Sequence, residues 1–362
     1  MSNLRQNWLK TALISVPAMA VVLGGFNAQA DRNPTVIELG SSGSSVTLNE
    51  AKVETRYRYQ TDKMGNEVAN LFEHRALFDV TVSFFEDKVR IDLQGATGGS
   101  FSSTWGESGG DSASSDAPDL NFYLRRLSIT LAPTKGIELT GGSFGPQLGA
   151  GSDSTYLSKE GYIMGYRAKV SYDKGYVVVT GGYVGDFNNP NVFDRFERLT
   201  KTDEFNYLQV LIHHQINQMV QGSLDYTRLN GEDYVRGALK ISVAKWTKFI
   251  DSITVEGIAR LKNEDIAGDE VAKAIAVTLK KKFENLLAGR NLEVALTYLY
   301  QDGDMKMPMS EYNMEGNSLR LRFACDNLVD FKWGSVTAYI DMTQNLDDLD
   351  EQRIEGGIGL VF

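Results

Sequence analysis

Polar and apolar residues alternate along most of this chain with a period of two. Over residues 51–60, Ala51, Val53, Thr55, Tyr57 and Tyr59 hold one phase, and Lys52, Glu54, Arg56, Arg58 and Gln60 hold the other. Val89, Ile91 and Leu93 alternate with Arg90, Asp92 and Gln94, and Leu319, Leu321 and Phe323 with Arg320 and Arg322. Successive side chains of a strand point to opposite faces, so the pattern predicts strands with one apolar face. Helical periodicity is nearly absent. Sixteen such segments follow one another, at 49–60, 74–84, 88–97, 120–131, 137–144, 162–172, 176–185, 205–214, 219–227, 234–243, 251–261, 271–281, 292–300, 317–325, 334–342 and 352–362. Two are irregular: 176–183 is apolar on both faces, and Leu124-Arg125-Arg126-Leu127 slips phase by one residue, which predicts a β-bulge.

Each segment is close to the ~9–11 residues with which a tilted strand crosses a bilayer. All seven prolines fall outside the sixteen segments, as expected for ladders that need every backbone donor. Connections alternate between long and short, about 13, 22, 17 and 19 residues against about 3, 5, 3 and 4 in the first half, with a weaker contrast in the second. The long ones are rich in Gly, Ser, Asp and Asn. Long loops at one rim and tight turns at the other are the habit of a transmembrane barrel. In lipid every backbone group must be paired within the protein, and only a closed sheet has no edge. Tyr57, Tyr59, Phe84, Tyr172, Tyr183, Tyr226, Tyr298, Tyr300 and Phe362 sit near segment ends, with Trp246 and Trp333 in or beside short connections, where amphipathic rings suit a membrane–water interface. The expected fold is therefore all-β: a transmembrane antiparallel barrel of about sixteen strands.

Composition narrows the picture. The chain has 362 residues, 42% hydrophobic types, a formal net charge of −10 and one cysteine. It is too apolar to be disordered, and its single near-spanning apolar run lies at the start. Arg5 and Lys10, the apolar stretch 11–26 and Ala28-Gln29-Ala30 read as a secretory signal peptide over 1–30, leaving 31–362 as one barrel domain. One cysteine excludes a disulfide framework and a cysteine-based metal site. The acidic balance argues against nucleic acid as a partner.

The last segment carries Ile354, Gly356, Ile358, Leu360 and Phe362 in one phase and stops at Phe362. This resembles the C-terminal signature of Gram-negative outer-membrane barrels. Together with the sixteen segments and the leader, the chain resembles the bacterial porin superfamily over nearly its whole mature length. The resemblance implies a cell-outer-membrane location among lipid and lipopolysaccharide, recognition of Phe362 by the barrel-assembly machinery, a homotrimer, and a water-filled channel for small hydrophilic solutes and ions. It also implies that the third long connection, 145–161, folds into the barrel and makes the constriction.

The non-lipid phase would then line water. It carries fifteen basic and nine acidic residues, so the wall is basic although the chain is acidic. The constriction is expected to set Asp153 and Glu160 against an arginine-rich wall drawn from Arg56, Arg58, Arg90, Arg126 and Arg167, with Lys169 a further pore-lining candidate. Opposed charges across a pore set a transverse field and a size limit. Alternatives are a substrate-selective channel for a small anion such as phosphate, and a non-transport barrel acting as an adhesin or structural protein. No catalytic site is expected: His74, His213 and His214 form no Ser–His–acid pattern, and no nucleotide motif appears. No cofactor is expected. Asp347, Asp348, Asp350 and Glu351 read as a solvated acidic loop rather than a metal site.

Overall fold

The computed structural model describes residues 35–38, 43–99, 103–108, 121–152, 154–185, 189–261, 270–287, 289–305, 313–331 and 334–362. The leader 1–30, Asp153 and Trp333 lie outside the described residues. Sixteen long strands make one closed antiparallel barrel. They are β1 (Ser45–Thr61), β2 (Glu67–Phe84), β3 (Val89–Thr97), β4 (Phe122–Thr134), β5 (Ile137–Phe144), β6 (Ile163–Tyr172), β7 (Gly175–Tyr183) and β8 (Tyr207–Gln215). Then follow β9 (Val220–Leu229), β10 (Glu232–Ser242), β11 (Ser252–Arg260), β12 (Ala272–Leu287), β13 (Arg290–Gln301), β14 (Gly316–Phe331), β15 (Gly334–Asn345) and β16 (Gln352–Val361). Each strand pairs with the next, and β16 closes on β1 with Arg353 beside Gln60 and Val361 beside Lys52. The Phe362 amide donates to the Ala51 carbonyl at 2.8 Å, tying the chain end into the seam.

Every segment predicted from the alternation coincides with one of these strands. The ends differ where bulges or mixed faces hide the period. β2 starts at Glu67, seven residues early, because 67–73 (EVANLFE) puts apolar residues on both faces. The connection expected over 61–73 is therefore only 62–66. β12 and β14 run on to Leu287 and Phe331, past register shifts between Phe283 and Leu287 and between Cys325 and Val329. A bulge moves the following residues to the opposite phase, so the alternation stops being readable although the ladder continues. Both flanking connections are consequently tight, and the long–short contrast extends to these parts of the second half. Two short strands add to the ladder. Thr35–Glu38 pairs with Ser45–Leu48 in β1, giving a place to part of a lead-in that the pattern leaves unassigned. Gly106–Ser108 pairs with Phe72–His74 in β2.

The barrel is inside out relative to a water-soluble core. Ile129, Leu131, Val179, Leu224, Ile340 and Ile358 are exposed on the outer face. Arg56, Glu73, Arg236, Glu256, Asp341 and Glu355 are buried within. An outward apolar band over a polar interior is what lipid outside and water inside select. No helix among the described residues is long and apolar enough to cross a membrane.

The predicted bulge lies in β4. Gln94 pairs with Arg126 while Gly95 pairs with Leu124, so Arg125 is the extra residue. The bulge brings two consecutive arginines to the lumen, where both bond the same loop. Gly142, across from Ser128, supports this stretch: its φ is +124°, and a Cβ there would lie 2.4 Å from the Leu127 carbonyl oxygen.

Candidate functional site

The loop between β5 and β6 crosses the lumen. Its first part follows the wall of β8 to β11: Gln209 Nε2 donates to the Gln147 carbonyl, Ser223 Oγ to the Ala150 carbonyl, and Arg236 Nη1 to the Thr155 carbonyl. The Glu256 carboxylate accepts from the Ser154 amide at 2.9 Å and from the Thr155 amide and hydroxyl at 2.8 Å each. Glu256 is only 1% exposed, and these donors satisfy a charge that burial would otherwise penalise. Arg236 also pairs with Asp225 at 3.2 Å. Leu157 and Tyr162 from the loop join Tyr207, Tyr234, Ile258, Ala274 and Met305 in an apolar cluster inside the barrel.

The second part returns along the opposite wall. Arg126 donates to the carbonyls of Lys159 and Gly161, and Arg125 to the carbonyl of Glu160. Arg167 holds the loop's start through the Gly145 carbonyl at 2.6 Å. Glu160 pairs with Arg75 at 2.5 Å and accepts from the Thr104 hydroxyl at 2.8 Å. The loop is thus hooked at both walls, and the arginines at its root serve its backbone.

The basic candidates fall into three groups. Arg126 and Arg167 anchor the loop through carbonyls. Arg56 and Arg58 lie in a wall network: Arg56 bonds Glu73 at 2.5 Å and Glu355 at 3.3 Å, and Arg58 bonds Glu73 at 2.8 Å. Arg90 and Lys169 share Glu138, at 3.3 and 3.6 Å, and remain about 30% exposed. Of the acids, Glu160 is at the crossing, where its carboxylate pairs with Arg75. Sequence reading missed Glu73, hidden in the unpatterned start of β2, and Trp105, whose ring lies over Arg56 and Arg75. A lone tryptophan in the small, polar 98–119 loop was the available signal.

Two cavities flank the crossing loop. One of ≈560 Å³ lies along β1 and β12 to β15, lined by seven basic and five acidic side chains, with Trp105, Tyr156 and Tyr339 at its edges. The other, ≈280 Å³, lies along β2 to β6 and is lined by Arg90, Arg126, Arg167 and Lys169 with Asp79, Asp92 and Glu138. A sixteen-stranded barrel is wide enough to hold water once side chains and one loop are placed inside.

No family profile matches the sequence, and no curated protein is similar to it by sequence. Solved structures do match. The Salmonella typhi OmpF complex with daunomycin is 11% identical with a TM-score of 0.55, over 90% of this chain and 100% of that one. A mutant of the Rh. blastica porin is 10% identical with a TM-score of 0.53, over 88% of this chain and all of the other. Acinetobacter baumannii OccAB4 gives 10% and 0.51, over 88% and 98%. The fold is that of a porin. The same barrel fold therefore forms here at 10–11% sequence identity to those structures, with the alternating pattern in place of shared residues.

Proposed function

We propose that the chain is an outer-membrane porin: a water-filled channel through which small hydrophilic solutes and ions diffuse passively. The observation that carries this reading is the closed barrel whose charged lumen is narrowed, not filled, by the inward-folded 145–161 loop. Residues 1–30 act as the export signal, and the seam at Phe362 is presented to the assembly machinery. Three copies assemble in the membrane among lipid and lipopolysaccharide. The long loops face outward and the tight turns face the periplasm.

Of the predicted constriction residues, Glu160 acts at the crossing itself. Arg90 and Lys169 present charge to the smaller cavity. Arg126 and Arg167 hold the loop, and Arg56 and Arg58 stiffen the wall behind it. The excess of basic groups lining both cavities supports a second reading, a preference for small anions. Liposome swelling with a graded series of neutral sugars tests the main reading. Rates that fall steadily with solute size and never saturate are expected. No swelling for any solute, from vesicles containing heat-modifiable folded barrel, overturns it. Block of chloride flux by millimolar phosphate would favour the anion-selective reading.

A further inference from the structure

Loop insertion at this pore is not confined to the 145–161 segment. Residues of the β3–β4 connection also enter the barrel. The chain turns at Gly98, whose φ is +83° and where a Cβ would lie 2.5 Å from the Thr104 carbonyl carbon, so this close return needs glycine. Thr97 Oγ1 donates to the Thr104 carbonyl at 2.9 Å. Gly106–Ser108 then adds to the edge of β2 at Phe72–His74. Between these fixed points stands Trp105, 8% exposed and lining the larger cavity. The Arg56 guanidinium lies 4.2 Å from the centre of its ring and that of Arg75 lies 4.4 Å. Thr104 donates its amide and its hydroxyl to Glu160, the same carboxylate that pairs with Arg75.

We propose that residues 103–106 of the β3–β4 connection form a second constriction element, and that Trp105 sets both the size limit and the charge preference of the channel. This rests on the channel reading above. The indole does two things at once. It occupies lumen volume beside the crossing loop, which lowers the cross-section open to solutes. It also covers one face of each of two guanidinium groups, holding them against an aromatic surface rather than against water in the path of ions. Glu160 clips the two loops together, so one carboxylate positions both constriction elements.

The test is single-channel recording in planar bilayers under a salt gradient. Trp105→Ala should raise the step conductance and move the reversal potential toward the anion value. Trp105→Phe, which keeps a ring over the arginines, should stay near wild type. Trp105→Cys supplies a folded-channel control, because the native Cys325 is buried. A charged thiol reagent added to an open Trp105→Cys channel should lower its current, and more so for a bulkier reagent. Unchanged conductance and reversal potential in a folded Trp105→Ala channel would overturn the proposal. So would a Trp105→Cys current that ignores the reagent while mass spectrometry shows the thiol modified. Absence of channels in wild type would instead defeat the channel reading itself.

Discussion

The two halves of the lumen wall are built from the same alternating strands and do opposite things. Along β8 to β11 the inward positions carry Tyr207, Leu211, Tyr234 and Ile258 beside the buried Asp225, Arg236 and Glu256. This half grips the crossing loop and seals against it. Along β13 to β15 and β1 the inward positions carry Glu293, Arg320, Arg322 and Lys52, and the larger of the two cavities lies there. The outer faces of both halves expose large apolar side chains, Leu208, Leu224 and Val235 on one and Leu296, Leu319 and Ile340 on the other. The inner face is where the halves diverge. Large apolar side chains and a carboxylate hook turn one half into a seat for a loop. Short and charged side chains leave the other half to water.

The comparison can be broken most severely by cutting the hook. Glu256→Ala leaves two backbone amides of the loop without their acceptor, at about 1–3 kcal/mol per unpaired group. The loop should swing from its seat, and single-channel conductance should rise more than for any wall substitution. A conductance equal to wild type would show that the apolar cluster alone seats the loop. The open half is broken instead by removing a buried carboxylate from its network. Glu73→Ala takes from Arg56, 1% exposed, the carboxylate that its Nε reaches at 2.5 Å. Loss of a buried partner costs about 3–5 kcal/mol, so the variant should unfold at clearly lower temperature on heated detergent gels. An unchanged transition would mean that the network is dispensable.

Smaller effects sharpen the distinction between charges that face water and charges locked in the wall. Arg90→Ser with Lys169→Ser should move the reversal potential toward cations. Arg56→Gln with Arg58→Gln should move it less and destabilise the barrel more, because those guanidiniums are committed to Glu73 and Glu355. Equal shifts from the two pairs would erase the distinction. The smallest effect is at the long-loop rim. The Asn317 amide and side chain hold the Asp347 carboxyl below the usual aspartate range. A carboxyl lowered on folding contributes stability above its ordinary range and loses it as pH falls through its lowered value. Protease cleavage in the 346–351 loop should therefore rise only in acid, and Asp347→Asn should remove that pH step. A step that survives the substitution would point to another group.

Most of the fold was legible because lipid outside and water inside impose one rule on every strand. The β4 bulge was legible too, as a slip in phase at Arg125-Arg126. What escaped reading was either hidden in phase or distant in sequence. Residues 67–73 and the ends of β12 and β14 lose their period through mixed faces or bulges. The pairings of Glu160 with Arg75 and of Glu256 with the 154–155 amides join residues 85 and about a hundred positions apart. Alternation places each side chain on a face, but only the closed barrel decides which faces meet across the lumen. That is why the basic residues could be assigned inward while their division into anchors, wall struts and lining could not.

Water runs through the barrel past the inserted loop if the chain is a channel. Purified protein added at picomolar level to a planar lipid bilayer measures this directly. Discrete current steps of uniform size, scaling with bulk salt conductivity, are predicted. A membrane that stays silent while the same preparation shows a folded, heat-modifiable barrel would contradict it.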